Sequence, residues 1–258
     1  MTTKDLPIAY TTTEANDYII ILQPDNTSTT GFRTRRILEQ TLLAVLSGGS
    51  TLPTNFNADI APVPPSSYDD EFSGNTLSAK WTVAHAGTAT IVIAQDRLQM
   101  QIATNASEEV TAITQPISGN FTVFTKSYIP LIQANYNFQG IYAGNSASGK
   151  FLTFWNGFHS GYGSDGVFNL MRFTDFTTQS GATVVGANYG RRDFVYQKLV
   201  NDGTNLKFYL SNDGLIYFLV ATEALSSFVT AVDRIGLCGM TYNASTGNNL
   251  SFEFFRHI

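Results

Sequence analysis

Two Asp-Gly pairs lie close together in the stretch DGTNLKFYLSNDGLIYFLV, from Asp202 to Val220. Between them, apolar side chains recur at every second position from Leu206 to Leu210, which is the period of a β-strand with one buried face. Asp-Gly supplies the positive φ angles that tight hairpin turns require. The stretch therefore predicts two consecutive β-hairpin corners, and short corners of this kind join antiparallel strands.

The same organisation extends over residues 69–258. Turn residues separate about a dozen strand-like runs there, among them ATIVIA, FTVFTKSYI, FLTFWN and LSFEFFRH. We find no run long enough for the helices of a parallel βαβ sheet, and TEALSSFV (222–229) predicts only a short helical turn. The sequence predicts an all-β fold, an antiparallel β-sandwich.

Composition and charge argue against several classes of function. The net charge of −5 argues against a nucleic-acid partner. No apolar run is long enough to span a membrane, and the first residues lack the apolar core of a secretory signal. The lone cysteine, Cys238 in IGLCGM, cannot form an internal disulfide, and its apolar surroundings predict a small core residue.

The region before the sandwich divides into an arm (1–46) and a linker (47–68). In the arm, DYIIIL predicts a strand, and RTRRILEQTLLAVL predicts a helix with Leu38 and Leu42 on one face. Four of the eight prolines lie in the linker, so we expect an extended, semi-rigid segment. An arm this small cannot bury a core of its own, which predicts that its apolar face contacts another copy of the chain or another protein.

The sandwich region resembles concanavalin A-like jelly rolls. Its opening DDEFSGNTLSAKWTV carries the pattern of Asp70, Phe72, Leu77 and Trp81, and LSFEFFRHI is similar to the closing strand of that family. Asp202-Gly203, Ser211 and Asp213-Gly214 match its late hairpins, with Tyr217 where the family often has Trp. The resemblance implies a jelly-roll sandwich whose closing strand pairs beside its opening segment.

The arm resembles a short module near the N-termini of tailed-phage virion proteins. The matching features are Leu6-Pro7, Ala9, a strand at 17–22, Gly31, a basic cluster and a short helix. The resemblance implies a module that attaches to a major capsid protein or to a tail or baseplate protein, and so a virion surface protein. The apolar helix face of the arm predicts a homotrimer, and the missing secretory signal predicts a protein made in the host cytoplasm. The candidate attachment residues are Tyr18, Ile20, Arg33, Arg35, Arg36, Leu38 and Leu42.

Two roles on a particle remain open. The chain could decorate or cement a capsid, or it could be a short tail fibre whose jelly roll binds host surface polysaccharide. Coiled-coil heptads and shaft repeats are missing from the sequence, and a fibre needs a shaft to hold its tip away from the particle. The missing shaft therefore favours capsid decoration over a tail fibre.

The motifs of common catalytic and metal sites are missing. Related jelly-roll hydrolases carry paired carboxylates as E-x-D-x-x-E, and this sequence has no such triplet, so we expect no enzyme activity. GYGSDG (161–166) precedes a strand-like run rather than the helix of a nucleotide fold. The histidines lie far apart and no EF-hand series occurs, so we expect no metal and no cofactor.

The segment FLTFWNGFHSGYG (151–163) is the candidate glycan-binding surface. Its rings and imidazole offer apolar faces beside polar edges, as sugar stacking requires. The candidates are Trp155, Phe158, His159 and Tyr162. The alternative is that Phe154 or Trp155 belongs to the core and the rest of the segment is a loop, since most aromatic residues of sandwiches serve in packing.

Overall fold

The computed structural model describes residues 66–128, 136–159, 166–187, 194–242 and 247–258. The chain divides into two units, residues 1–62 and 63–258, and the described residues belong to the second unit. The predicted arm and most of the linker lie outside the described residues. The same holds for every candidate attachment residue: Tyr18, Ile20, Arg33, Arg35, Arg36, Leu38 and Leu42.

The described part of the chain is an antiparallel β-sandwich, as predicted. Its fourteen strands are β1 (Thr82–His85), β2 (Ala89–Ile93), β3 (Leu98–Ile102), β4 (Val110–Pro116), β5 (Phe121–Tyr128), β6 (Asn137–Gly144), β7 (Phe151–Phe158), β8 (Val167–Asp175), β9 (Thr178–Ala187), β10 (Phe194–Asn201), β11 (Asn205–Ser211), β12 (Phe218–Ala224), β13 (Arg234–Thr241) and β14 (Asn248–His257). A 3-10 helix at Leu225–Ser227 confirms the predicted helical turn. Among the described residues, no helix has the length and apolarity needed to cross a membrane.

Each sheet has seven strands. Sheet 1 has the order β1-β4-β13-β6-β7-β8-β9, and sheet 2 has the order β12-β11-β10-β5-β14-β3-β2. In β5 the buried and half-buried positions alternate strictly, so that Phe121 and Val123 enter the core between the sheets. In β6 all eight positions are buried. Sheet 1 is therefore covered on both of its faces at this strand.

The opening and closing segments meet, as the jelly-roll resemblance implied. The Asp70 N–H donates to the Phe255 carbonyl at 2.8 Å, and the Phe255 N–H donates to the Asp70 carbonyl at 2.7 Å. Phe255 lies in β14, which runs between β3 and β5. The pairing thus ties the start of the sandwich to the strand that ends it.

Both predicted Asp-Gly corners are present. Gly203 has a φ of 88° in the β10–β11 turn, and Gly214 has a φ of 75° in the β11–β12 turn. In the first turn, Asp202 Oδ1 accepts from the N–H groups of Thr204 and Asn205. Because these bonds use the short side chain of the residue preceding glycine, the local sequence suffices to form the turn.

The second corner lies against the outer face of sheet 2. A Cβ on Gly214 would lie 2.8 Å from the ring of Tyr196, and the ring of Tyr217 packs edge-on to that of Phe124 at 5.7 Å. Phe124 belongs to β5, two strands away from β11 in sheet 2. The turn therefore reaches back across β10, an arrangement that only a residue without a side chain at position 214 allows.

Cys238 is a buried core residue, as predicted. Its Sγ donates to the carbonyl of Gly140 at 3.5 Å, and burial raises the pKa of the thiol well above its ordinary value.

Candidate functional site

The outer face of sheet 1 is buried at strands β4, β13, β6, β7 and β8, although the outer face of an antiparallel sandwich is commonly solvated. We call this surface the aromatic face. Its buried apolar members are Val110, Ala112, Phe138, Tyr142, Phe151, Trp155, Val167, Met171, Phe173, Cys238 and Met240. Partly buried Tyr136, Phe176, Val184 and Tyr242 pack against them.

The rings of the aromatic face contact one another from each strand to the next. Trp155 lies edge-on to Phe138 at 5.6 Å and stacks near Phe173 at 6.2 Å. Phe151 stacks on Phe173 at 5.1 Å and on Tyr142 at 4.8 Å. Residues two apart on a strand share a face, so the alternation in β7 places Phe151, Thr153 and Trp155 on the aromatic face. The same alternation sends Leu152 and Phe154 into the core between the sheets.

Three polar atoms lie within the aromatic face without a hydrogen-bond partner. They are Trp155 Nε1, Thr153 Oγ1 and Asn169 Oδ1, and all three are buried. Trp155 and Asn169 are directly opposite each other in the β7–β8 register, and Thr153 is two residues before Trp155 on the same face. A buried polar atom without a partner costs about 1–3 kcal/mol, and a hydroxyl-bearing ligand that reached these three atoms would remove that cost.

The residues beside Trp155 in the sheet are small. Along one row the register runs from Asn169 through Trp155, Gly140 and Cys238 to Ala112, across strands β8, β7, β6, β13 and β4. After the indole of Trp155, this row carries only the hydrogen of Gly140, the thiol of Cys238 and the methyl of Ala112. One side of the Trp155 ring therefore has no bulky neighbour in its own row.

Three half-buried rings form a rim at one end of the aromatic face. Tyr136 contacts His159 at 4.6 Å and Tyr242 at 5.2 Å between ring centroids, and it reaches Phe138 at 6.5 Å. Backbone hydrogen bonds hold the rim together, since Tyr136 N–H donates to Phe158 and Tyr242 N–H donates to Tyr136. We call these residues, Tyr136, His159 and Tyr242, the ring rim.

The backbone of Tyr136 is strained. Its φ is 60°, in the left-handed region that bulky residues rarely adopt. Such strain persists only where the surroundings impose it, and it is concentrated at functional sites. Here the two backbone hydrogen bonds to Phe158 and Tyr242 impose the conformation, and it directs the phenol ring toward His159.

Phe176 packs against the aromatic face at a border away from the ring rim. Its ring stacks on His85 at 4.9 Å and packs against Phe151 at 5.0 Å. His85 Nε2 lies 3.1 Å from Glu109 Oε1, and Asn105 donates to the other Glu109 oxygen at 2.7 Å. These contacts fix the imidazole at the border of the face.

Of the four residues predicted to bind glycan, the structure describes Trp155, Phe158 and His159. Trp155 is 0% exposed, so of the two alternatives left open by the sequence the structure selects the buried position. Phe158 and His159 are half-buried at the end of β7, and His159 joins the ring rim. Tyr162 lies outside the described residues.

Sequence reasoning missed Tyr136, Tyr242, Thr153 and Asn169. Thr153 could have been found from the period of two that it shares with Trp155. Tyr136 and Tyr242 carry no local signal, because they are distant in sequence and meet only through the pairing of β6 with β13. The described residues contain no group of three or more His, Cys, Asp or Glu side chains suited to a metal ion.

Neither the family models nor the curated proteins give a match to this chain. Among solved structures, the chain is similar to the GH43 BlXynB protein from Bacillus licheniformis, with a TM-score of 0.57 and 13% identity over 74% of this chain. A xylan beta-1,4-xylosidase from Bacillus halodurans C-125 gives a TM-score of 0.57 and 13% identity over 76% of this chain. The chain spans only 39% and 40% of those two structures.

A third similar structure is matched over almost its whole length. It is the CBM2 module of the evolved Dit of Lactobacillus casei BL23 phage J-1, with a TM-score of 0.51 and 12% identity. The match covers 74% of this chain and 93% of the module. At these identities the three likenesses show a shared all-β sandwich fold.

The sequence was expected to have no enzyme activity because the E-x-D-x-x-E triplet is missing. That inference was wrong. The GH43 protein and the xylosidase contain this fold at 13% identity, so a motif of one hydrolase family cannot exclude the others. The physical reason is that hydrolysis requires two carboxyl groups at a set distance across a glycosidic bond. Such groups can come from any strands or loops, and their spacing in sequence is not constrained.

Proposed function

We propose that this protein binds carbohydrate at the aromatic face and the ring rim. The observation that carries the proposal is the set of three buried, unpartnered polar atoms, Trp155 Nε1, Thr153 Oγ1 and Asn169 Oδ1, among the rings of one sheet face. Sugars present apolar ring faces together with hydroxyl groups, so a site for them combines aromatic rings with a few fixed polar groups.

The chemistry of the three atoms is complementary to hydroxyl groups. The indole N–H of Trp155 only donates, Asn169 Oδ1 only accepts, and the Thr153 hydroxyl does either. A sugar hydroxyl also donates and accepts, so adjacent hydroxyl groups can satisfy the facing Trp155 and Asn169 together. Each hydrogen bond gained would contribute about 0.5–1.5 kcal/mol, in addition to the removed cost of leaving these atoms unpaired.

Access to the site has two stages in this proposal. The ring rim is half-buried, so a sugar can stack on Tyr242 directly. Trp155 is fully buried, so a ligand reaches its N–H only after residues packed over the face, such as Tyr136 and Phe176, move. Binding would therefore begin at the rim and continue into the face.

The solved structures of similar fold support a carbohydrate ligand. The phage J-1 module is described as a CBM2 module, and the Bacillus halodurans structure as a xylosidase. Neutral β-linked polysaccharides such as xylan are therefore the first probes to use.

Glycan binding by the full chain tests the proposal. We would measure dissociation constants on a glycan array and by calorimetry for the wild type, Tyr242→Ala and Trp155→Phe. Loss of a stacking ring should weaken binding about two- to tenfold. Trp155→Phe keeps a ring but removes the N–H, so it should weaken binding without unfolding the protein. Tyr68→Ala, which removes a half-buried ring elsewhere in the sandwich, is the matched control.

The outcomes are distinct. A wild-type protein that binds no neutral glycan contradicts the proposal, as do rim and face variants that bind as tightly as the control. The same mixtures are assayed for newly released reducing ends, which reports hydrolysis separately from binding.

We also propose that the sandwich is displayed on a tailed-phage particle by the N-terminal arm. The support is the resemblance of the arm to phage virion modules and the similarity of the sandwich fold to a module of a phage protein. The sequence favoured capsid decoration, whereas carbohydrate binding favours a short tail fibre or receptor-binding protein. Imaging of purified particles with a label at the C-terminus distinguishes capsid from tail.

Assembly is part of the same proposal. We propose a homotrimer, because the apolar helix face predicted in the arm needs a partner. Light scattering of the full chain should give a mass close to three times 28.2 kDa. A chain that stays monomeric both in solution and on particles would contradict it.

A further inference from the structure

The outer face of sheet 2, on the opposite side of the sandwich, combines cations with aromatic rings. Arg97 lies 5.6 Å from the ring centroid of Tyr128, and Lys126 lies 5.3 Å from that of Tyr196. Lys198 is surrounded by more rings than either. Its Nζ lies 4.3 Å from the centroid of Tyr209, 4.6 Å from that of Tyr217 and 5.9 Å from that of Phe124. We call Lys198 with these three rings the lysine cage.

Within the described residues Lys198 has no carboxylate partner, unlike the other described cations of this face. The partners of the others are Glu253 for Lys126 (2.8 Å) and Arg97 (3.2 Å), Asp202 for Lys207 (2.8 Å), and Glu71 for Arg256 (2.7 Å). In the part of the chain that the structure describes, the side chain of Lys198 contacts aromatic rings. Partial burial of the ammonium without a counter-ion lowers the pKa of Lys198.

The nearby acid of the second hairpin corner, Asp213, holds its own turn through one carboxylate oxygen. Asp213 Oδ1 accepts hydrogen bonds from the Ser211 hydroxyl at 2.8 Å and from the N–H groups of Leu215 and Ile216 at 2.9 and 3.0 Å. These bonds shape the turn that brings Tyr217 over the sheet toward Phe124. The fold thus supplies the cage with a third ring while leaving the ammonium unpaired.

We propose that the lysine cage binds an anionic group carried by a saccharide, either the carboxylate of a uronic acid or a phosphate ester. Lys198 is half-buried, so an anion that reaches its ammonium displaces little water and forms a charge-assisted hydrogen bond. Tyr209 and Tyr217 provide ring faces and phenol groups beside the charge, which suit the sugar that carries the anion. This site is independent of the aromatic face, since it lies on the other sheet.

Cation–π contacts alone would give the cage only a structural role in holding the corner against the sheet. The two roles make different demands on the side chain. A structural role needs the volume and position of the side chain and affects stability, whereas anion binding needs a positive charge and affects affinity for acidic ligands only. A variant that removes the charge, compared with one that keeps it, separates them.

The experiment measures binding of the full chain to polygalacturonate, to a phosphate-substituted polysaccharide and to neutral xylan. The variants are Lys198→Gln, Lys198→Arg and Lys207→Gln. Lys207→Gln is the matched control, because it removes the same charge from the adjacent strand at a lysine already paired with Asp202. Thermal melting of each variant is recorded beside the binding data.

We expect the wild type to bind at least one of the acidic polymers, and the affinity to fall on adding salt. Lys198→Gln should weaken that binding about tenfold or more, Lys198→Arg should retain most of it, and Lys207→Gln should change it little. Xylan binding should be the same for all four proteins. The acidic polymer that binds identifies the group as carboxylate or phosphate.

Three results would overturn the inference. They are no binding of either acidic polymer by the wild type, equal loss from Lys198→Gln and Lys207→Gln, and a loss that follows the melting temperature of the variants rather than their charge. Failure of xylan binding would contradict the proposed function of the aromatic face and leave the lysine cage to be judged on the acidic polymers.

Discussion

The indole Nε1 of Trp81 donates a hydrogen bond to Asp70 Oδ2 at 2.8 Å, and the other carboxylate oxygen accepts from the backbone N–H of Phe72 at 2.8 Å. These contacts explain why Asp, Phe and Trp occur together at the opening of the domain. Phe72 and Trp81 are buried, and Asp70 satisfies donors that would otherwise be buried unpaired.

Asp70→Ala should therefore destabilise the fold by about 1–3 kcal/mol, the cost of leaving buried donors without an acceptor. Chemical denaturation measures the loss. Glu71→Gln is the control, because Glu71 makes a partly exposed ion pair with Arg256, which is expected to contribute less than about 1 kcal/mol. Similar losses in both variants would contradict this account.

Trp155→Ala should destabilise the fold by about 3–5 kcal/mol, as is typical when a buried aromatic side chain is removed. Trp155 is 0% exposed and contacts Phe138 and Phe173. Trp155→Phe should lose much less, because a ring remains and the removed N–H has no partner. If Trp155→Ala melts like the wild type, the indole is not a packing residue.

Glu223→Gln should weaken the contact between the two sheets. Arg172 of β8 donates from Nε and Nη2 to Glu223 Oε1 and Oε2 of β12, at 2.9 and 2.5 Å. We expect a loss of about 1–3 kcal/mol at neutral pH by chemical denaturation. Glu253→Gln, which removes a carboxylate within sheet 2, is a control with no contact between sheets.

The stability conferred by Glu223 should depend on pH. Burial opposes its ionisation, but hydrogen bonds from Arg172 and Ser227 and the positive charge of Arg172 outweigh burial and lower the pKa of Glu223. A carboxyl group with a lowered pKa stabilises the fold above its unfolded pKa of about 4.3, and this is lost as the pH falls through the folded value. The difference between wild type and Glu223→Gln should thus shrink below about pH 4. A difference that grows on acidification would contradict it.

Gly214→Ala should destabilise the second corner by about 1–2 kcal/mol, since the left-handed conformation disfavours a side chain. The added Cβ would also contact Tyr196 at 2.8 Å. Gly181→Ala is the control, because a Cβ there meets nothing within 4 Å. Equal melting temperatures for the two variants would show that the corner does not depend on glycine.

Cys238 should not react with thiol reagents in the folded protein. It is fully buried, and burial raises the pKa of the thiol, so little thiolate forms and reagents have no access. A colorimetric thiol assay before and after denaturation checks this. Rapid reaction of the folded protein would contradict the core position of Cys238.

The all-β class and the two hairpin corners followed from the sequence, because they depend on local chemistry. Alternation from Leu206 to Leu210 specifies a strand with one buried face, and Asp202-Gly203 and Asp213-Gly214 can close their turns with their own side chains and positive φ angles. The core position of Cys238 followed from its apolar neighbours for the same reason.

Only the tertiary structure decided which rings meet. Tyr136, His159 and Tyr242 come from different strands or strand ends, and the register of β13 against β6 and of β6 against β7 brings them together. The same long-range pairing buried Trp155 on the outer face of sheet 1, where alternation alone would predict a solvated side chain. Long-range pairing also surrounds Lys198 with aromatic rings, since the three rings come from β5, β11 and the corner before β12. Period and turn chemistry act over a few residues, whereas strand register is set by the packing of the whole sandwich.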